Sequence, residues 1–426
     1  MAEIDASQQT TTSQGSLTSG ALAPDSSELP LQHAISGRNG STLAAMAPFL
    51  RLMGDSVFAR RDVDDPENCD FVLGNPHELP LEEFVAALAS NLKPLNQEWF
   101  AYKLSEPESR RIVAESLNER RGVRFEPENI LMTNGAFAAL AVSMCALLDP
   151  GDEVIYISPP WFFYEAMIVA YGGVPKRVDI DRETLLPDLA AIETALSPRT
   201  KAIIINSPQN PTGKIYPRAF LDGLATSLRS ASRRLGRPIY LLSDEAYSRI
   251  LFDDNEYASP TESYDYSLLH YTYGKTLLTP GQRIGYIALP ATMPAKDELC
   301  NALMAAQLVI GFAFPNALLQ HSLAQLETMS IDMAALQRRR DLLVSELTAM
   351  GYKVKVPEGT FYLMVDSPDP DDEAFAERLG EHKIYVLPGT ITELPGTFRV
   401  SLTANDEMIA RSLAGFRAAM ASYAAA

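Results

Sequence analysis

Between residues 129 and 290 the chain alternates short, continuous apolar runs with longer amphipathic stretches, and few folds accept that pattern. The runs 130–132, 153–158, 201–206, 239–243, 268–272 and 284–289 are rich in Val, Ile, Leu and Tyr. They are strand-length and lack in/out alternation, so each predicts a strand buried on both faces. Helix-length segments, including 136–148, 218–235 and 297–308, fall between several of them or follow them. The order predicts an α/β fold, a mostly parallel sheet sandwiched by helices. Ligands of such sheets gather at the carboxyl ends of the strands. The residues just after each run are therefore the candidates for chemistry.

The flanks read differently. Residues 1–40 are rich in Ser, Thr, Gln, Ala and Gly, bury too little to offset chain entropy, and predict a flexible tail or arm. From Ser41 onward Leu43, Met46, Phe49, Leu50 and Met53 fall at helical spacing. Residues 331–350 predict a long amphipathic helix with Arg338, Arg339, Arg340 and Asp341 on its wet face. Short runs at 361–365, 385–387 and 398–402 precede a final Ala-rich helix, which makes the C-terminal part a smaller α+β domain. The expected organisation is a tail over 1–40, a large domain over 79–320, and a small domain built from 41–78 and 321–426.

Charge narrows the function. With 36 basic and 54 acidic residues the net charge is -18, which repels nucleic-acid backbones and anionic lipid. Any anionic ligand must be held by a local basic pocket. Cys69, Cys145 and Cys300 are too few and too scattered for a disulfide framework or a four-cysteine zinc site, so a reducing cytoplasm and no metal are expected. No stretch approaches the roughly 20 apolar residues of a membrane helix. The first residues also lack the basic and apolar regions of a signal peptide.

Five strand ends, and the approach to a sixth strand, carry suggestive residues. Thr133-Asn134-Gly135-Ala136-Phe137 is a strand-to-helix turn whose small residues let backbone N–H groups converge on an anion. Pro159-Pro160-Trp161 sets a flat aromatic at the ligand edge. Ser207-Pro208-Gln209-Asn210-Pro211 fixes an amide on a rigid turn. Ser243-Asp244-Glu245-Ala246-Tyr247 puts a carboxylate at a buried strand end, costly unless a cation or strong donor meets it. Thr272-Tyr273-Gly274-Lys275 places a lysine where its amine can serve as nucleophile or base. Arg283, eight residues on, suits bidentate capture of a phosphate. Further along, Arg399 sits inside the apolar run Phe398-Arg399-Val400-Ser401-Leu402, either facing solvent or forming a fork for a carboxylate. Each alone has an ordinary reading as a turn, a core aromatic, a helix cap or a surface cation. Together they describe one site.

This ordered set resembles the class I/II aminotransferases, the fold-type-I enzymes that depend on pyridoxal 5′-phosphate (PLP), over roughly residues 41–420. The resemblance implies a Schiff-base enzyme of amino acid metabolism that transfers the amino group of an L-amino acid to a 2-oxo acid by a ping-pong route through a lysine aldimine. Lys275 would form that link and move the proton, and Asp244 would pair with the ring nitrogen. Asn210 and Tyr247 would hold the 3′-oxygen, and Trp161 would stack on the ring. The turn Gly135-Ala136-Phe137, Thr272 and Arg283 would hold the phosphate. Arg399 would bind the α-carboxylate, with Gly74 of Leu73-Gly74-Asn75-Pro76 closing over it. Tyr102 resembles the tyrosine that reaches the neighbouring subunit's phosphate, which implies a homodimer with its active site at the interface.

The sequence departs from the family pattern at four points. Thr272 replaces a frequent Ser but keeps the hydroxyl. Phe137 stands where a polar or basic side chain is frequent. Asn75-Pro76-His77 follows Gly74 in place of the frequent Glu-Pro, and the segment after Tyr102 lacks the usual glycine. Two alternatives share the fold: a PLP-dependent lyase of the aminocyclopropane-carboxylate-synthase kind, and a non-catalytic effector domain of a transcription regulator. The second would need a DNA-binding domain ahead of residue 41, where only about forty polar residues stand.

Overall fold

The computed structural model describes residues 35–424. The tail expected over 1–40 lies outside the described residues up to position 34. Ser36 caps the first helix, Gly37–Gly54, its Oγ accepting from Asn39 N at 3.2 Å, so the helix starts four residues ahead of the apolar pattern.

After a two-residue strand β1 (Cys69–Asp70), seven strands build the main sheet. They are β2 (Phe125–Thr133), β3 (Glu153–Ser158), β4 (Val174–Asp179), β5 (Thr200–Asn206), β6 (Tyr240–Asp244), β7 (Ser267–Thr272) and β8 (Gly285–Pro290). Their order is β2-β8-β7-β6-β5-β3-β4. β8 runs antiparallel to both neighbours and every other pairing is parallel. All six predicted runs are strands of this sheet. β4 escaped the reading because it is an edge strand, VPKRVD, with only Val178 buried, so it carries no apolar run.

Helices cover both faces. The helix Gly135–Leu147 is buried nearly all round by small residues, so it can lie close against the strands. On the other face, Arg218–Leu235 buries Phe220, Leu221, Leu224, Ala225, Leu228 and Ala231 at helical spacing and ends at Gly236, in the left-handed region at φ +67°.

The reversed direction of β8 matters for the site. Its first residue, Gly285, pairs with Thr133 of β2 and Thr272 of β7, both at their strands' carboxyl ends. Arg283 therefore arrives at the same edge as Lys275, although it precedes its strand.

A second sheet has the order β12-β13-β10-β9, all antiparallel. Its strands are β9 (Val354–Lys355), β10 (Tyr362–Asp366), β12 (Leu387–Pro388) and β13 (Thr397–Ser401). The run read as one strand over 385–387 is divided: β11 (Ile384–Tyr385) pairs with β1, and β12 pairs with β13. The core around Phe361, Leu363, Phe398 and Phe416 also takes in Tyr247 and Phe252, which joins this sheet to the end of β6.

The helix Met333–Ala349 corrects the expected wet face. Arg338 and Asp341 are exposed, but Arg339 and Arg340 are buried. Each finds acids from distant segments. Arg339 pairs with Glu78 at 2.5 Å and Asp406 at 2.6 Å. Arg340 pairs with Asp253 at 2.5 Å and lies over the Phe252 ring at 4.6 Å. Two guanidinium stems thus cover apolar core while their charges are neutralised in place.

Candidate active site

A cavity of about 250 Å³ opens at the carboxyl edge of the main sheet. Gly74, Ala136, Phe137, Trp161, Asn210, Asp244, Tyr247, Thr272, Lys275, Arg283 and Arg399 all line it. Lys275 is set by a sharp change of direction. β7 ends at Thr272, whose Oγ1 accepts from Gly274 N at 3.4 Å and opens the one-turn helix Tyr273–Thr276. The amine then lies 5.6 Å from the Tyr247 ring centre and 5.4 Å from that of Phe361.

Asp244 ends β6, with 6% of its surface exposed. Tyr164 Oη donates to its Oδ2 at 2.5 Å and Ala246 N to its Oδ1 at 3.2 Å. Burial pushes its pKa up; the Tyr164 hydroxyl, the Ala246 amide and the Lys275 charge oppose that push without cancelling it. Such a carboxylate gains most from a further cation or acidic N–H. Asn206, at the end of β5, braces the corner: its Nδ2 donates to Asp244 O at 2.9 Å and its Oδ1 accepts from Asn210 N at 2.7 Å.

The opposite end is built for an anion. Gly135 takes φ +83°, a conformation that favours glycine, and a Cβ there would lie 2.7 Å from Arg283 Nη2 and displace the guanidinium. The helix Gly135–Leu147 has no side-chain cap from Asn134, which leaves its first-turn amides and its dipole directed at the cavity. Thr272 Oγ1 stands 3.2 Å from the same Cβ position. Among the described residues Arg283 donates only to Pro280 O, at 2.6 Å.

At the third corner is Arg399 of β13, 2% exposed. Its Nη1 donates to Asn210 Oδ1 and its Nη2 to Val72 O, both at 2.8 Å, and its Cζ lies 3.8 Å from the Tyr362 ring centre. Among the described residues its Nε has no partner. Burial pulls its pKa down, only partly offset by Tyr362 and Tyr247. Among the described residues neither Arg399, Arg283 nor Lys275 has a carboxylate within 4 Å. Gly74 lies beside this group: a Cβ there would be 2.6 Å from the Phe361 ring and 2.5 Å from Tyr362 Oη.

A carboxylate, a lysine and two separated anion sites in one cavity suit amine and carboxylate chemistry. A family profile described as "Aminotransferase class I and II" matches residues 70–416. The chain is a class I/II aminotransferase.

This aminotransferase is 35% identical over 323 residues to the aspartate/prephenate aminotransferase of Thermus thermophilus, spanning 73% of this chain and 80% of that one. It is 33% identical over 315 residues to the aspartate aminotransferase of Thermotoga maritima, spanning 72% and 79%. Among solved structures, an aminotransferase from Eubacterium rectale matches with a TM-score of 0.82 at 29% identity, over 91% of this chain and 99% of that one. A single mutant of the Thermus thermophilus aspartate aminotransferase matches with a TM-score of 0.75 at 31% identity, over 90% and 99%.

Of the expected site residues, Gly135 lies behind the lining, against Arg283, and Tyr102 lies apart; the others line the one cavity. Tyr102 is 86% exposed, outside the cavity lining, and packs on Phe314 at 4.6 Å between ring centres. Sequence reasoning missed Tyr164, Asn206 and Tyr362. Tyr164 stands at the end of the string that supplied Trp161, and Asn206 ends a predicted strand, so position could have flagged both. Tyr362 had no signal, because Gly74, Tyr247 and Arg399 meet it only through tertiary packing.

Proposed function

We propose that this cavity binds PLP, and that the protein passes the amino group of an L-amino acid to a 2-oxo acid in two half-reactions at the one site. Arg399 carries the reading. A guanidinium buried among neutral groups, with an unpartnered Nε, is costly until an anion joins it. A substrate α-carboxylate, presented in the cavity that holds Lys275 and Asp244, would be that anion.

The donor set fits the cofactor. A phosphate matches the Gly135 turn, the amides of Ala136 and Phe137, Thr272 and Arg283. A protonated ring nitrogen matches Asp244, whose raised pKa marks a carboxylate in need of a cation. When bound, PLP supplies an electron sink for charge that develops at the substrate's Cα.

The protein's own groups do the rest. Asp244, held by Tyr164 and Ala246, keeps the ring nitrogen protonated. Asn210 has its Oδ1 on Arg399 and its Nδ2 available to the 3′-oxygen, beside the Tyr247 phenol. Trp161, in the lining, would stack on the ring. Lys275, on its short helix, would be the base that takes the proton from the substrate's Cα and the acid that returns it. The division into a large unit (79–320) and a small one (41–78 with 321–426) belongs to this reading, with Lys275 and Asp244 on the first, Gly74 and Arg399 on the second.

The active unit in this reading is a homodimer, with Tyr102 reaching the partner's site. Leu79, Leu95, Tyr102 and Val309 are each more than 75% exposed, apolar side chains that a partner subunit would cover. No helix among the described residues is long and apolar enough to cross a membrane, and the three free cysteines fit the cytoplasm.

The test is the visible spectrum of the purified protein before and after borohydride reduction. The label should map to Lys275. Lys275→Ala should still bind the cofactor but lose amino transfer by at least about 10³-fold. Turnover retained in that variant would overturn the assignment.

A further inference from the structure

We infer that the amino donor carries an uncharged, apolar side chain, in contrast to the aspartate in the names of several relatives. The inference rests on the reading of the cavity as a PLP site. The cations that line the cavity are Lys275, Arg283 and Arg399, and that reading commits all three. Lys275 meets the reacting carbon, Arg283 the phosphate and Arg399 the α-carboxylate. Within this chain none of the lining cations is left for a second carboxylate on the substrate.

The uncommitted wall carries no charge: Asn75 and Tyr362 are its polar members, and Leu73, Phe137, Leu140 and Phe162 are apolar. Phe137 is 38% exposed and meets Trp161 edge to face at 4.8 Å. Phe162 also lines the cavity and is stacked from outside by Phe49 of the first helix, at 5.0 Å and 15°. Phe163 closes the cluster, 5.3 Å from Phe137 and 5.1 Å from Phe49. A carboxylate set against this wall would lose its water and gain no counter-charge. An apolar or aromatic side chain would bury surface there and find edge-on ring contacts.

Among the described residues no other lysine or arginine lines the cavity. The sequence ahead of residue 35 contains no lysine or arginine. Arg51 of the first helix lines a different cavity, and Lys103, beside Tyr102, is paired with Glu106 at 3.5 Å.

Phe137 is thus a specificity-determining residue. It stands at the anion-binding turn, where a long basic side chain would reach the same space.

The experiment titrates the wild-type holoenzyme with two unreactive carboxylates, 3-phenylpropionate and maleate, and follows the cofactor absorbance. It also compares kcat/KM for L-phenylalanine, L-leucine and L-aspartate. 3-Phenylpropionate should bind at least tenfold tighter than maleate, and phenylalanine or leucine should exceed aspartate by at least tenfold. Phe137→Lys should move the maleate-to-phenylpropionate ratio at least tenfold towards maleate. Maleate binding as tightly as 3-phenylpropionate in the wild type, with aspartate turned over as well as phenylalanine, would overturn the inference and leave amino transfer intact. A holoenzyme that converts none of the three amino acids, and whose absorbance neither carboxylate changes, would instead overturn the reading on which it rests.

Discussion

Arg399 keeps a full charge in the interior with Asn210 Oδ1, Val72 O and the Tyr362 ring as its company. Its planar fork serves two acceptors and still presents an edge to the cavity, which an ammonium cannot do. Arg399→Lys should therefore lower kcat/KM for amino acids by about 10²-fold or more, close to 3 kcal/mol, the scale of breaking a buried charge-assisted pair. Simple amines without a carboxylate should lose far less, and steady-state kinetics on matched pairs would show it. Equal losses for both would mean that Arg399 does not read the carboxylate. At this scale the sequence was most legible where a residue contradicted its surroundings. An arginine inside an apolar run, an aspartate at a buried strand end and a lysine after a strand are each expensive without a purpose. Tyr362 contradicts nothing, since an aromatic residue at the start of a strand is ordinary. Its role comes from the hydrogen bond between its hydroxyl and that of Tyr247, 3.4 Å away, and from its closeness to Gly74.

Strand β7 carries a second buried ionisable group just ahead of Lys275. His270 is fully buried, pairs in parallel register with Asp244, and places its Nε2 2.7 Å from Ser143 Oγ on the helix Gly135–Leu147. It therefore ties the strand to the helix whose first turn faces the phosphate end. Burial pulls its pKa down from 6.5 to about 3, more than its hydrogen bonds restore. The folded chain keeps the ring neutral while the unfolded chain protonates it near its ordinary value. Stability from this group is complete above about pH 6.5 and falls as pH drops from there towards 3, by about 1.4 kcal/mol per pH unit. His270→Gln should flatten that part of the acid limb, read as a smaller loss of denaturation midpoint between pH 6.5 and 4.5 than in the wild type. An unchanged loss would show that other groups set the limb. Elements were legible in proportion to their burial. Fully buried strands announced themselves as apolar runs, whereas the edge strand β4 did not. The helix Met333–Ala349 was found, but the burial of Arg339 and Arg340 depends on acids at positions 78, 253 and 406, which no local pattern connects to them.

At the scale of the whole molecule, the cavity draws Lys275 and Asp244 from the main sheet and Arg399 from the second, so the site exists only where the two sheets meet. Tyr102 stands outside that meeting point, on a surface it shares with Phe314. Sequence could mark the residue but not what faces it, because contacts with another copy leave no trace in the periodicity of one chain. If Tyr102 completes the partner's phosphate site, two defects placed on different subunits should complement each other. Tyr102→Ala subunits alone should bind the cofactor at least tenfold more weakly, about 1.4 kcal/mol for one lost hydrogen bond to a charged group. Lys275→Ala subunits alone should be inactive. In a hybrid dimer, the intact Lys275 of one subunit would meet the intact Tyr102 of the other, and one site of the two would be whole. Mixing the two variants under conditions of subunit exchange should restore tight cofactor binding and activity at up to half of the sites that contain Lys275. Light scattering on each variant, giving twice the chain mass, would establish that both are dimers, and co-purification of differently tagged subunits after mixing would establish that they exchange. No restoration from exchanging dimers would place Tyr102 in the service of its own subunit or of none. The shared site would then have to be abandoned, even if the dimer stood.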